Sequence, residues 1–148
     1  MATASHSVEV KVPQKEVWDF VSNMEKWATL VPGYREHQII NDQQSTWTFS
    51  GNVGVLKKEV KVQIDITGWE EPNKISFNLT GLTDKFSGNG YFEDKAIDEN
   101  KTEMTGHLEV KAGGLAGPVL NPIFSAVLPK ATSILTNRVA NKIQLVHA

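Results

Sequence analysis

Cysteine is absent from this chain of 148 residues. That excludes a disulfide framework and a thiol nucleophile, and it fits a reducing compartment. Histidine is scarce: His6, His37, His107 and His147 are the only four. None lies three or four residues from another, so no ligand-spaced cluster forms and no metal or cofactor is expected. Strong net charge is lacking too. A formal charge of −2 leaves no electrostatic footprint for nucleic acid. The aromatics are not interleaved with basic residues, as a stacking platform for bases requires. No apolar run approaches the ~20 residues that span a bilayer. The polar start, Met1 to Ser7, lacks the apolar stretch of a secretion signal. A cytoplasmic protein without a transmembrane segment is expected.

A further deficit is local. All 17 acidic residues lie at or before Glu109. From Gly113 onward the only charges are Lys130, Arg138 and Lys142, a net of +3, against −5 (12 basic, 17 acidic) for residues 1–112. This cationic end, with Lys57-Lys58 as a weakly basic rim, reads either as solvated surface or as a contact for an enzyme or an anionic membrane. Gly113-Gly114-Leu115-Ala116-Gly117 precedes a helical stretch but lacks the Gly-Lys-Ser/Thr of a phosphate loop. It reads as a hinge.

What is present is a change of period. Val60, Val62, Ile64 and Ile66 alternate with Glu59, Lys61, Gln63 and Asp65, and Ile75, Phe77 and Leu79 with polar partners. Met104, Leu108 and Val110 do the same. A strand turns successive side chains to opposite faces, so each run has one wet and one buried face. The reading along the chain is a strand at Val8–Val12 and helices over Pro13–Asn23 and Met24–Val31. Strands follow at Tyr34–Asn41, Thr46–Asn52, Glu59–Trp69, Ile75–Thr80, Phe86–Ala96 and Thr102–Ala112. The register of Tyr34–Asn41 stays open because Ile39 and Ile40 are adjacent. After Gly117 the apolar positions Leu120, Phe124, Val127, Ala131, Ile134, Leu135, Val139, Ile143 and Val146 recur at helical steps. Pro129 is expected to kink this helix, with its regular part starting at Lys130. No repeat or linker divides the chain, so residues 1–148 form a single domain of ordinary size. A one-sided antiparallel sheet needs a cover, and the last helix supplies it.

This order resembles the helix-grip fold, an α+β class with about seven curved antiparallel strands around a long C-terminal helix. That is the fold of the START, Bet v 1-like and polyketide cyclase (SRPBCC) superfamily. The stretch Val12-Pro13-Gln14-Lys15-Glu16-Val17-Trp18-Asp19-Phe20, then Leu30-Val31-Pro32-Gly33-Tyr34, and the hinge at Gly113–Gly117 resemble its carbon monoxide dehydrogenase G-like branch. The resemblance covers nearly the whole chain. It implies a cavity between sheet and helix for an apolar small molecule (lipid, isoprenoid or quinone-like), and an accessory role to a molybdenum hydroxylase-type enzyme rather than catalysis. Some relatives continue into a membrane-binding tail. This sequence ends at Ala148, which puts that mode of anchoring in doubt.

Strand parity names the sheet side of such a cavity: Trp47, Phe49, Val62, Ile64, Phe77, Leu79, Phe92, Met104 and Leu108. Tyr34 is placed at the mouth, and Phe124, Val127, Leu128, Ala131 and Leu135 on the helix. Gly88, Gly90 and Gly106 share the inward parity. They either leave unfilled volume or let the sheet bend and the helix approach. The inward parity is almost free of acids and bases, which favours binding over proton-transfer chemistry. Tyr34, Thr83, Asn121 and Ser125 are candidates for orienting a ligand, each with a plain surface or capping role as the alternative. The competing enzymatic reading is a cyclase, dehydratase or hydrolase acting on an apolar substrate in the same cavity. It would rest on His37 or Glu36, the weak catalytic candidates.

Overall fold

The computed structural model describes residues 2–53, 56–82 and 85–146, and for 51–53, 56–58 and 116 it describes the backbone alone. Seven antiparallel strands form one sheet: β1 (Ala2–Val10), β2 (Tyr34–Ile39), β3 (Gln44–Val53), β4 (Leu56–Glu70), β5 (Lys74–Gly81), β6 (Phe86–Asp98) and β7 (Lys101–Ala112). Their order is β1-β7-β6-β5-β4-β3-β2. Each of β2 to β7 thus pairs with its neighbour in sequence, and β1 closes on the last strand. Two short helices, α1 (Gln14–Val21) and α2 (Met24–Ala28), follow β1, and a long helix α3 (Gly117–Val146) ends the chain. The helix-grip architecture is therefore present as expected.

Several boundaries differ from the sequence reading for local reasons. β1 begins at Ala2 and pairs along its whole length with β7. Its first buried residues are Ala2 and Ala4, too small to announce a strand face. β2 ends at Ile39, and an irregularity between Tyr34 and Glu36 sets its register, with His37 opposite Trp47. That shift turns Tyr34 and His37 to one side, while Glu36, Ile39 and Ile40 are exposed. α3 starts at Gly117 and continues through Pro122 and Pro129, so the expected start at Lys130 is corrected. Both prolines lie on its exposed side.

The parity assignment of the long strands is reproduced. Val62, Ile64, Ile66, Ile75, Phe77, Phe92 and Met104 are all buried. The core is keyed by Trp27 from α2, which is 2% exposed and donates its indole N–H to the Val21 carbonyl at 3.0 Å. Its ring meets Trp47 at 5.1 Å and Phe92 at 5.0 Å, both edge-on, and Phe77 at 5.8 Å. Such edge contacts suit the ring quadrupoles and add to the large apolar area each ring buries.

α3 lies along β1 and β7. Its buried stripe is Leu128, Thr132, Leu135, Thr136, Val139, Ala140 and Ile143. This stripe is rotated from the expected one: Val127 and Val146 are 40% and 59% exposed. The reason is a close crossing. A Cβ on Gly106 of β7 would overlap the Thr136 hydroxyl, so glycine on the sheet and small threonines on the helix let the two layers meet. By length and composition α3 also passes the test for a membrane-crossing helix, with mean hydropathy 1.2. The expectation that no segment would do so is corrected. In this fold the helix is the grip on the sheet.

Candidate functional site

The space between sheet and helix divides into a packed end and an open end. At the packed end, Trp47, Val62, Ile64, Phe77, Phe92, Met104 and Leu135 belong with Trp27 to one continuous core. These residues fill the volume that a deep cavity would need. The inward glycines do not restore it. A Cβ on Gly90 would crowd the His107 carbonyl, Leu108 and Phe77, and one on Gly88 would overlap the Glu109 carbonyl. Of the two roles open to these glycines, bending and close approach is the one the coordinates support. Among pockets formed by described residues, the one between α3 and β5–β7 measures only about 10 Å³.

At the open end burial falls off on both walls. On the sheet, Phe49, Val60, Leu79, Phe86 and Leu108 are half-buried. On α3 a second apolar flank lies beside the buried stripe: Leu120, Ile123, Phe124, Ala131 and Ile134 are half-buried, and Val127 sits at its outer lip. Leu120, Phe124, Val127, Ala131 and Ile134 stand three or four residues apart, so they share one side of the helix, with Ile123 beside them. The flank faces the sheet, because Phe124 meets Phe86 at 6.1 Å and both pack with Leu79, Leu108 and Leu128. Farther along, Arg138 Nη1 donates to the Leu30 carbonyl at 3.1 Å and ties this side of α3 to the end of α2. Half-buried apolar side chains of the first half of α3 and of the sheet thus lie beside one another around the Phe86–Phe124 contact.

The polar candidates distribute unevenly. Asn121 is spent on structure: its side chain accepts from the Ala112 N–H at 2.8 Å and donates to the Ala112 carbonyl at 3.1 Å. It thereby clips α3 to the end of β7. Ser125 is exposed. Thr83, the side chains of Lys57 and Lys58, and His147 lie outside the described residues. Tyr34 is half-buried against the core, and its hydroxyl is hydrogen-bonded to His37 Nδ1 at 2.6 Å. His37 Nε2 stands 3.9 Å from Glu25 Oε1. His37 thus meets Tyr34 and Glu25 at the edge of the sheet, and Glu36 takes no part.

Two residues escaped the sequence reading. Asp94 continues the inward parity of Gly88, Gly90 and Phe92 and is 1% exposed, against the expectation that strand acids fall on the wet face. Neither of its carboxylate oxygens has a hydrogen-bond partner among the described residues. Burial, then the neighbouring Glu93, pushes its carboxyl up to about 8. Gln14 of α1 donates to the Asp94 main-chain carbonyl at 2.9 Å, so the acid lies under α1 and away from the groove. The second is Thr132, 2% exposed on the innermost stripe of α3.

With this geometry in place, comparison defines the class. A family model matches residues 1–143, and the chain belongs to that family. Its structural neighbours, which share its fold, include START superfamily and cyclase proteins. A conserved protein from Geobacillus kaustophilus superposes with a TM-score of 0.78 at 16% identity, covering 95% of this chain and 94% of that one. An aromatase/cyclase from a Streptomyces species gives 0.74 at 14% identity, with 99% and 95% covered. A START superfamily protein from Mycobacterium smegmatis gives 0.72 at 16%, with 99% of both chains covered. At these identities the likeness is one of fold. The curated proteins searched include no match to this sequence.

Proposed function

We propose that this protein binds an apolar small molecule, of lipid, isoprenoid or quinone-like character, in the groove between α3 and the sheet, without chemical change. One observation carries the reading: apolar side chains on both layers, Phe49, Leu79, Phe86 and Leu108 on the sheet and Leu120, Phe124, Ala131 and Ile134 on the helix, are left half-buried around the Phe86–Phe124 contact. A Leu or Phe side chain gains about 1.5–3 kcal/mol when fully buried, so apolar side chains left half-buried on both layers favour a third apolar body that covers them. Pockets for small ligands share this make-up, mostly apolar with few polar groups.

The test is uptake of a fluorescent fatty-acid probe. Wild-type protein is expected to bind it and enhance its emission, and Ala131→Trp, which fills the groove from the helix side, is expected to abolish uptake with the fold retained. Uptake unchanged in that variant removes the groove from the account. The resemblance to the carbon monoxide dehydrogenase G-like branch extends the proposal to a partner, a molybdenum hydroxylase-type enzyme, that delivers or receives the molecule. The acid-free helix end with exposed Leu115 and Val119 adds a peripheral membrane contact as the place of exchange. Sedimentation with anionic against neutral vesicles tests that contact.

A second reading, a cyclase, dehydratase or hydrolase, is favoured by the hydrogen-bonded Tyr34–His37 pair with Glu25 behind it. A positioned phenol and imidazole can exchange a proton with a substrate within reach. Hydrolysis of naphthyl butyrate that disappears in His37→Ala would support it. Equal background rates in both proteins would remove the hydrolase version.

A further inference from the structure

Thr132 is the one side chain on the inner stripe of α3 whose polar atom is buried without a hydrogen-bond partner among the described residues. A helical threonine usually points to solvent or bonds the carbonyl one turn back. Its neighbour Thr136 does the latter, donating to the Thr132 carbonyl at 2.7 Å. Thr132 instead borders the gap of about 10 Å³, together with Phe77, Gly106, Leu108 and Leu135. Valine has the same shape and would line this gap with no hydroxyl to satisfy, and a buried polar group without a partner opposes folding.

A water is a poor partner here. Buried waters are held by two to four polar groups, and on the helix side the gap offers only the Thr132 hydroxyl and the Thr136 oxygen, whose proton is already given to the Thr132 carbonyl. An oxygen that arrives on an apolar body meets the site better, because its own carbon skeleton fills the surroundings. Leu108 connects the two spaces: it lines the gap and also packs with Phe86 and Phe124 on the groove wall. Gap and apolar flank thus share Leu108 as a common wall.

We propose that Thr132 is the anchor for a single carbonyl or hydroxyl oxygen at the leading end of the apolar molecule, so that the ligand class is an oxygenated hydrocarbon rather than a plain one. This rests on the binding reading above and narrows it.

The test uses a matched pair of probes, acetonaphthone and ethylnaphthalene, with the full chain and its Thr132→Val, Thr132→Ser and Thr136→Val variants. The wild type is expected to prefer the ketone by about tenfold, the worth of one neutral hydrogen bond. Thr132→Val is expected to bind both probes alike at the wild-type hydrocarbon affinity and to melt no lower than wild type. Thr132→Ser and Thr136→Val are expected to keep the preference. The infrared carbonyl band of bound ketone should shift to lower frequency in wild type and not in Thr132→Val. Equal preference in wild type and Thr132→Val overturns the anchor and leaves the groove reading standing. Binding of neither probe to wild type overturns both. Should Thr132→Val fail to fold, an unshifted carbonyl band in wild type is enough to reject the anchor.

Discussion

Asp94 offers a sharp test of the packing described for the sheet's inner face. Its carboxyl is buried with no hydrogen-bond partner among the described residues, and its folded pKa is raised from 3.8 to about 8, by burial first and Glu93 second. The native state therefore holds a proton that the unfolded chain releases. Below the ordinary carboxylate range both states are protonated and the group has no effect. As pH rises, the unfolded state ionises first, and native stability declines until the folded carboxyl itself ionises near pH 8. One proton corresponds to a slope of about 1.4 kcal/mol per pH unit, or about 4 kcal/mol by pH 7. Asn is nearly isosteric with the protonated acid and does not titrate. Urea unfolding of wild type and Asp94→Asn, followed by tryptophan emission from pH 4 to 9, isolates the effect, since all other groups titrate in both proteins. Near pH 4 the curves should coincide. By pH 7 the variant should be the more stable, by up to the figure above. Parallel profiles across that range would refute the assignment of Asp94 to a dry, uncompensated site.

Other expectations follow from the same coordinates. Gly106→Ala places a methyl where the Thr136 hydroxyl sits; a loss of about 1–3 kcal/mol is expected in thermal melts, relieved by adding Thr136→Ala. Trp27→Ala removes the ring against which Trp47, Phe77 and Phe92 pack; about 3–5 kcal/mol should be lost, and a smaller change would mean that the core closes over the gap. Arg138→Ala breaks the tie to the Leu30 carbonyl, an exposed contact; stability should change by less than about 1 kcal/mol, while hydrogen exchange in the Leu30–Tyr34 turn should quicken.

Strands with one wet face were legible because alternation survives tertiary packing. Val62, Ile64 and Ile66 fell where their spacing put them. The same logic missed what lacks an apolar signal. Ala2 and Ala4 are buried in β1 but too small to reveal it, and Asp94 sits inward where a carboxylate reads as outward. The stripe on α3 differs from its apolar spacing because Thr132 and Thr136 carry no apolar signal, although the small Thr136 is what lets the helix meet Gly106. The register of β2 depended on an irregularity after Tyr34 that composition does not encode. Least legible was the space itself. Parity names which side chains face inward, but whether they leave a void depends on how Trp27, delivered by a separate helix, fills the sheet's hollow. The proposed groove lies beyond that plug, where Phe124 of α3 meets Phe86 of the sheet.

The most direct measurement is native mass spectrometry of the protein purified gently from its own host, followed by solvent extraction and analysis of what is released. The account predicts a stoichiometric adduct that denaturation liberates as an oxygen-bearing, otherwise apolar molecule, and that Ala131→Trp lacks. A folded wild-type protein that carries no adduct, and that takes up no apolar probe when challenged, would contradict it.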